Sequence, residues 1–184
     1  MRTFLQVVTR TYKRPTMLAA NMASIAALGS DVRHTLLRDE KGIGVAAANA
    51  QLAEFEPVAR YVWVLDDDDV CTYDNLLADL KYLAWLQNAP PAFIVRMDHG
   101  PELGILPNAV GWRKAPREAG IGCSAIITRR DVWMRHRQAW ATGRYAADFD
   151  FISAVWESWQ RTIVWHDVVA SRCQRISRGL PEAA

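Results

Sequence analysis

The chain has 184 residues, 51% of them hydrophobic and 23% charged, with a formal net charge of +2. The length suits one compact domain with a sizeable core, the composition excludes disorder, and the near-neutral charge makes no case for nucleic acid or a membrane surface as a partner. Cys71, Cys123 and Cys173 lack pairing or metal-type spacing, no apolar run reaches transmembrane length, and no signal-peptide pattern precedes the first strand, so a cytoplasmic chain is expected.

Phe4 to Val8 reads as the first strand. Thr9 to Pro15 is a polar, basic loop, and Thr16 suits the N-cap of a helix from Met17 to Leu28 that stops at Gly29. Arg33 to Arg38 is a short second strand with Asp39 at its exit. Gly42 and Gly44 punctuate the next loop, and the Ala-rich stretch Val45 to Glu54 is a second helix. Tyr61-Val62-Trp63-Val64-Leu65 has no polar break, which predicts a buried strand, and it runs into Asp66, Asp67, Asp68 and Asp69. The order β-α-β-α-β predicts an α/β fold: a mostly parallel, Rossmann-like sheet flanked by helices in a single domain.

Beyond the aspartates, Thr72 suits the cap of a helix from Tyr73 to Gln87, with Leu76, Leu77, Leu80, Leu83 and Ala84 as its apolar stripe. Ala92 to Met97 is a strand, 102–122 reads as loops with a hairpin, Cys123 to Thr128 as a strand, and Arg130 to Trp140 as a helix. Asp148 falls near the start of a helix whose Ile152, Val155, Trp156 and Trp159 share one face. Thr162 to Trp165 is the last predicted strand, with His166 at its exit. Most of the eight tryptophans belong in the core.

Four carboxylates at one strand exit repel one another. Such a cluster holds a cation, carries shifted pKa values, or stays open to water; the plainer alternative is an acidic loop capping the next helix. Ligands of an open α/β sheet bind outside the carboxyl ends of its parallel strands. Three exits converge there: Thr9 to Arg14, Asp39, and the aspartate tetrad. Cationic side chains beside an acidic cluster suit a nucleotide with Mn²⁺ or Mg²⁺. A P-loop is absent from the sequence, and no Gly-x-Gly-x-x-Gly follows the first strand. The cluster also ends a strand, and Val70 and Cys71 break the Asp-Asp-x-x-Asp spacing of helical isoprenoid synthases.

Taken in order, these segments resemble the family-2 glycosyltransferases of the GT-A fold. Val7 to Pro15 is similar to that family's opening strand and loop, and Leu37-Arg38-Asp39 to its second strand. Gly44 with Ala48-Asn49 resembles its Gly…Ala-Arg-Asn segment, with Ala48 where an arginine is usual. Leu65 to Asp69 matches its Leu-Asp-x-Asp-Asp (DxD) motif. Tyr145 to Phe151 resembles its later Glu-Asp motif, with Ala147 in place of the glutamate. The likeness is thin between Asp98 and Gly120, where acceptor specificity is set.

The resemblance implies a metal-dependent, inverting transfer of a hexose-type sugar from a nucleoside diphosphate sugar to an acceptor hydroxyl on a glycan, lipid or small molecule. Residues 1–98 would form the nucleotide-sugar half and 99–184 the acceptor half. A UDP-sugar is implied by Asp39, which stands where the family contacts the base. Thr9, Arg10, Thr11, Arg14 and Asn49 would contribute to the donor site, and Asp67 would face the donor ribose. Asp66, Asp68 and a late histidine, His166, would hold the metal, and Asp148 would be the general base, with Asp150 its neighbouring alternative. A helix N-terminus favours the charged form of Asp148 unless burial opposes it. Arg175 and Arg178 are candidates for the diphosphate or for a solvated tail. Two other readings stay open: a sugar-nucleotide nucleotidyltransferase, against which the glycine-free loop after the first strand counts, and a non-catalytic nucleotide- or glycan-binding module.

Overall fold

The structure, a computed structural model, describes residues 3–174. Arg175 and Arg178 therefore lie outside the described residues. Strands β1 (Leu5–Thr11), β2 (Val32–Arg38), β3 (Tyr61–Val64), β5 (Ala92–Asp98) and β8 (Val164–Cys173) run in one direction. Three short strands oppose them: β4 (Asp69–Cys71), β6 (Ile105–Leu106) and β7 (Ile126–Arg129). The sheet order is β2-β1-β3-β7-β5-β8-β4, with β6 on β5. The predicted α/β class holds, but the sheet is mixed, because β7 inserts antiparallel between β3 and β5.

Period-two alternation splits the buried side chains between two faces. Tyr61, Trp63, Phe93 and Val95 pack under helices α1 (Pro15–Ala26) and α3 (Leu76–Leu86) with Ile25, Leu76, Leu77 and Leu80. Val62, Val64, Ala92 and Ile94 pack on the opposite side with Leu52 of α2 (Val45–Glu54), Val132 and Trp133 of α4 (Arg130–His136), and Phe151, Ile152 and Val155 of α5 (Ala147–Trp159). β3 is buried on both faces, as its unbroken apolar run predicts. Trp133, Trp140 and Phe151 stack on one another with centroids 5.1–6.0 Å apart, so these tryptophans are core residues. Trp85 on α3 is the exception, 76% exposed.

Several boundaries move. Pro15, not Met17, opens α1, since proline is preorganised for the first helical position. The stretch 123–128 divides into a short 3₁₀ turn, Cys123–Ala125, and β7. In place of a hairpin within 102–122, that stretch holds the two-residue strand β6, which pairs back onto β5 before it. The last strand is far longer than the predicted 162–165, because Val168 to Cys173 continue it past a bulge. The parallel exits of β1, β2, β3, β5 and β8, together with the start of α5, meet at one edge of the sheet.

Candidate active site

The tetrad is held from below by α1. Asn21 is fully buried on the same face as Leu18 and Ile25, and its Nδ2 donates to the carbonyls of Asp66 (3.0 Å) and Asp69 (2.8 Å). From the other side, the Gln174 backbone N–H donates to the Asp68 carbonyl at 2.6 Å, and its side chain donates to that of Asp67 at 3.0 Å. The backbone polar groups of the turn are thus taken up by protein, as buried groups require.

The four side chains have different fates. Asp66 accepts two parallel hydrogen bonds from Arg10, through Nε at 2.8 Å and through Nη2. This fork geometry is the strong, oriented form of a carboxylate–guanidinium pair. Burial alone pushes the Asp66 carboxyl up, but Arg10, Arg14 and a Cys123 Sγ contact at 3.6 Å bring it below its ordinary value. Asp68 pairs with Arg14 Nη1 at 2.7 Å and keeps 20% of its side-chain surface exposed. Asp67 is fully buried, with Arg14 Nη1 3.1 Å away but not aligned as a hydrogen-bond donor, and burial raises its pKa to about 6. Asp69 accepts from Ser124 Oγ, and burial together with Asp68 raises its pKa well above the carboxylate range.

The other expected donor residues separate into supports and lining. Arg10 also donates to Asn49 Oδ1 and lies over the Trp140 ring at 5.9 Å, so Asn49 holds the arginine in place. Thr9 is not a surface ligand: its buried hydroxyl donates to the Leu65 carbonyl at 2.7 Å. Asp67 points into the protein and not towards a ribose site. Asp39 receives the backbone N–H groups of Lys41, Gly42 and Ile43 at 2.7–2.9 Å. Gly42 has φ +75°, and a Cβ there would stand 2.7 Å from the Tyr12 hydroxyl, so only glycine lets the loop close over that ring. Thr11, Arg14, Pro15, Leu18, Arg38 and Asp39 line a cleft of about 190 Å³ between the exits of β1 and β2.

His166 is not at a strand exit. It lies in the β8 bulge, where Trp165 pairs with Ile94 but Val169 pairs with Arg96. Its Nε2 is 3.0 Å from Asp79 Oδ2 on α3. Strand rise puts it roughly 20 Å from Cys173, the partner of Asp69.

Across the edge, Asp148 occupies the first turn of α5, as predicted. Its Oδ1 accepts the Phe149 N–H at 2.8 Å, and Oδ2 faces Gly122. Burial raises its pKa, opposed by the Phe149 amide and by Arg10, so desolvation outweighs the helix terminus. Asp150 is already engaged, by Thr142 Oγ1 and Arg144 Nη1, each at 2.7 Å. Two residues the sequence reading passed over complete the site. Asn21 was detectable as the one polar side chain on the apolar face of α1. His99, directly after β5, sits beside Gly122 with a buried Nε2 that has no partner.

A divalent cation fits this donor set in one mode. Asp68 is a hard, partly exposed oxygen ligand, and one carboxylate plus substrate phosphates is a common arrangement for Mg²⁺. Asp66 has both oxygens on Arg10. Among the described residues, no group of three or more His, Cys, Asp or Glu side chains converges into a metal cage.

No protein-family model and no curated protein matches the chain. Solved structures do share its fold. The chain is similar to residues 1–349 of S. aureus TarS, with a TM-score of 0.67 and 12% identity over 92% of this chain and 60% of that one. TarS 1–349 has also been solved with UDP-GlcNAc and with UDP. The chain thus spans about 60% of that fragment. It also resembles A197 from STIV, with a TM-score of 0.56 and 14% identity over 93% of this chain and 83% of that one. A glycosyltransferase involved in glycosylation of the major capsid of PBCV-1 has a TM-score of 0.54 and 11% identity over 95% of both chains.

Proposed function

We propose that the chain is a glycosyltransferase that moves a sugar from a UDP-sugar to an acceptor hydroxyl with inversion. The observation that carries this reading is a half-buried carboxylate, Asp148, with Oδ2 facing into the same sheet edge where Arg10 and Arg14 are fixed on the tetrad. The structures bound to UDP-GlcNAc and UDP, and the capsid glycosyltransferase, support it through the shared fold.

The cleft between β1 and β2 would take the nucleoside, with Thr11 and Asp39 on its wall. Arg10 and Arg14 would then stand beside the diphosphate, already oriented by Asp66, Asp68 and Asn49. Such prefixed charges stabilise developing negative charge without reorganisation at the moment of reaction. Mn²⁺ or Mg²⁺ held by Asp68 would supply further positive charge to the leaving diphosphate. Asp148 Oδ2 takes the proton of the acceptor hydroxyl as its oxygen bonds to the anomeric carbon. The bond from that carbon to the diphosphate oxygen breaks on the opposite face, and its electron pair leaves with the diphosphate. One base and one direct displacement invert the centre.

Thermal unfolding with UDP, GDP and dTDP, each with and without Mn²⁺, tests the donor side. UDP with Mn²⁺ is expected to stabilise most, by about 2–3 kcal/mol near a hundredfold excess over its dissociation constant. Asp68→Asn should remove the metal-dependent part. Equal protection by UDP in a chelator would end the metal role, and protection by none of the three nucleotides would end the donor assignment. UDP binding without turnover of UDP-GlcNAc would favour a binding module.

A further inference from the structure

His99 stands at the exit of β5, and the loop that carries it is closed on itself. Asp98 Oδ1 accepts the Gly100 N–H at 2.8 Å, the His99 N–H donates to the Gly104 carbonyl at 2.9 Å, and the Gly104 N–H donates back to Gly100 at 2.8 Å. This backbone fixes where the imidazole lies. Its Nε2 is buried and makes no hydrogen bond among the described residues. A buried ring nitrogen without a partner is uncommon, because desolvation is then uncompensated.

The space in front of that nitrogen is shared. The point where a Cβ would stand on Gly122 is 3.9 Å from His99 Nε2 and 4.0 Å from Asp148 Oδ2. Gly122 has an ordinary extended backbone, so conformation does not demand glycine there. The missing side chain instead lets the imidazole and the carboxylate both approach the backbone at 122, each to about 4 Å of one point. Asp148 Oδ1 is held by the Phe149 amide, which leaves Oδ2 for this space. Burial lowers the His99 pKa, with Asp98 and Asp68 opposing, which favours the neutral ring. A neutral imidazole can hydrogen-bond a hydroxyl without competing for the proton that Asp148 takes.

We infer that His99 Nε2 is a second contact for the acceptor hydroxyl: it hydrogen-bonds the oxygen whose proton passes to Asp148. This assignment rests on the glycosyltransferase reading. It makes His99 an acceptor-binding residue, distinct from the donor contacts on β1 and β3. The space at Gly122 then takes a hydroxyl that His99 orients and Asp148 deprotonates, and a larger residue at 122 would close it.

The test uses UDP-GlcNAc with water as the acceptor, which on this assignment takes the place of the acceptor hydroxyl. His99→Ala is expected to lower the turnover number at least tenfold, while KM for UDP-GlcNAc and calorimetric affinity for UDP stay within twofold. His99→Gln, which keeps a nitrogen donor of similar reach, should recover part of the loss; a purely structural histidine would not show that split. Turnover of His99→Ala within twofold of the parent overturns the inference, as does loss of UDP affinity in step with thermal stability. If the parent binds no UDP, the glycosyltransferase reading itself fails and this assignment with it. If the parent binds UDP but its hydrolysis is too slow to follow, the ¹⁵N resonance of His99 Nε2 decides. It should move on Asp148→Asn in the UDP complex, and an unmoved resonance overturns the shared contact.

Discussion

The two sides of the candidate site treat their ionisable groups in different ways. On the β1–β3 side, charges are matched inside the protein, Asp66 by Arg10 and Asp68 by Arg14, while the buried Asp69, its pKa raised, is hydrogen-bonded by a serine hydroxyl. On the β5–α5 side, Asp148 Oδ2 and His99 Nε2 both lie about 4 Å from one point beside Gly122, and His99 Nε2 has no hydrogen-bond partner among the described residues. The paired side is preorganised: its cations cannot wander, so a diphosphate meets them in place. The other side carries the desolvation cost of the unpartnered His99 nitrogen, which on the proposed reading a bound hydroxyl would relieve. On the proposed function, affinity for an anionic donor and reactivity towards an acceptor would be built from different states of the same chemical groups.

The largest effect expected from breaking this contrast is on the unpaired side. Asp148→Asn keeps the shape and removes the base, so UDP-GlcNAc turnover should fall at least about 100-fold while UDP affinity is retained. Because burial raises the Asp148 pKa, turnover by the parent should fall, as pH drops, at a higher pH than an ordinary aspartate would set. Near-normal turnover would place the base elsewhere; Asp150, bound on both oxygens, is not a ready substitute. The next largest effect lies on the paired side. Arg10→Ala strands Asp66 and Asn49 together, with Arg10 and Asp66 side chains only 16% and 21% exposed. A loss of roughly 2–4 kcal/mol in urea unfolding is expected, part of which Asp66→Asn should restore. An unchanged midpoint would mean the pair contributes no more than a surface ion pair.

The contrast was only half legible in the sequence. The strand–helix alternation, the buried run 61–65 and the start of α5 announce themselves through apolar periodicity, so the α/β frame and the edge carrying Asp66–Asp69 and Asp148 follow from it. Pairing does not announce itself. That Asp66 would spend both oxygens on Arg10, 56 residues away, depends on how β1 and β3 align side by side. His166 looked like the end of a strand because Thr162 to Trp165 has apolar character and the following His-Asp does not; a bulge carries β8 on for seven more residues and turns His166 to Asp79. His99 left no signal because loop closure and a glycine 23 positions later create its environment. β7 escaped as an antiparallel insertion because four residues carry no direction of their own.

Asp67 is the exception on the paired side, and the smallest of the expected effects tests it. Its side chain is fully buried, and its pKa is raised to about 6 mainly by burial, with Thr11 and Arg14 opposing. The protonated form is therefore the one the fold prefers. Its contribution to stability is complete below the ordinary carboxylate pKa and is lost as pH rises through about 6. Asp67→Asn is neutral at every pH, so it should match the parent near pH 4 and exceed it near pH 7 by roughly 1–3 kcal/mol. Urea midpoints at the two pH values measure this, and an equal difference at both would mean the carboxyl titrates normally. The same variant separates the two placements of Asp67. A side chain facing the donor ribose would weaken UDP on amidation. The buried position in the structure requires UDP affinity to stay the same, since the only group changed lies beneath Arg14 and away from the cleft.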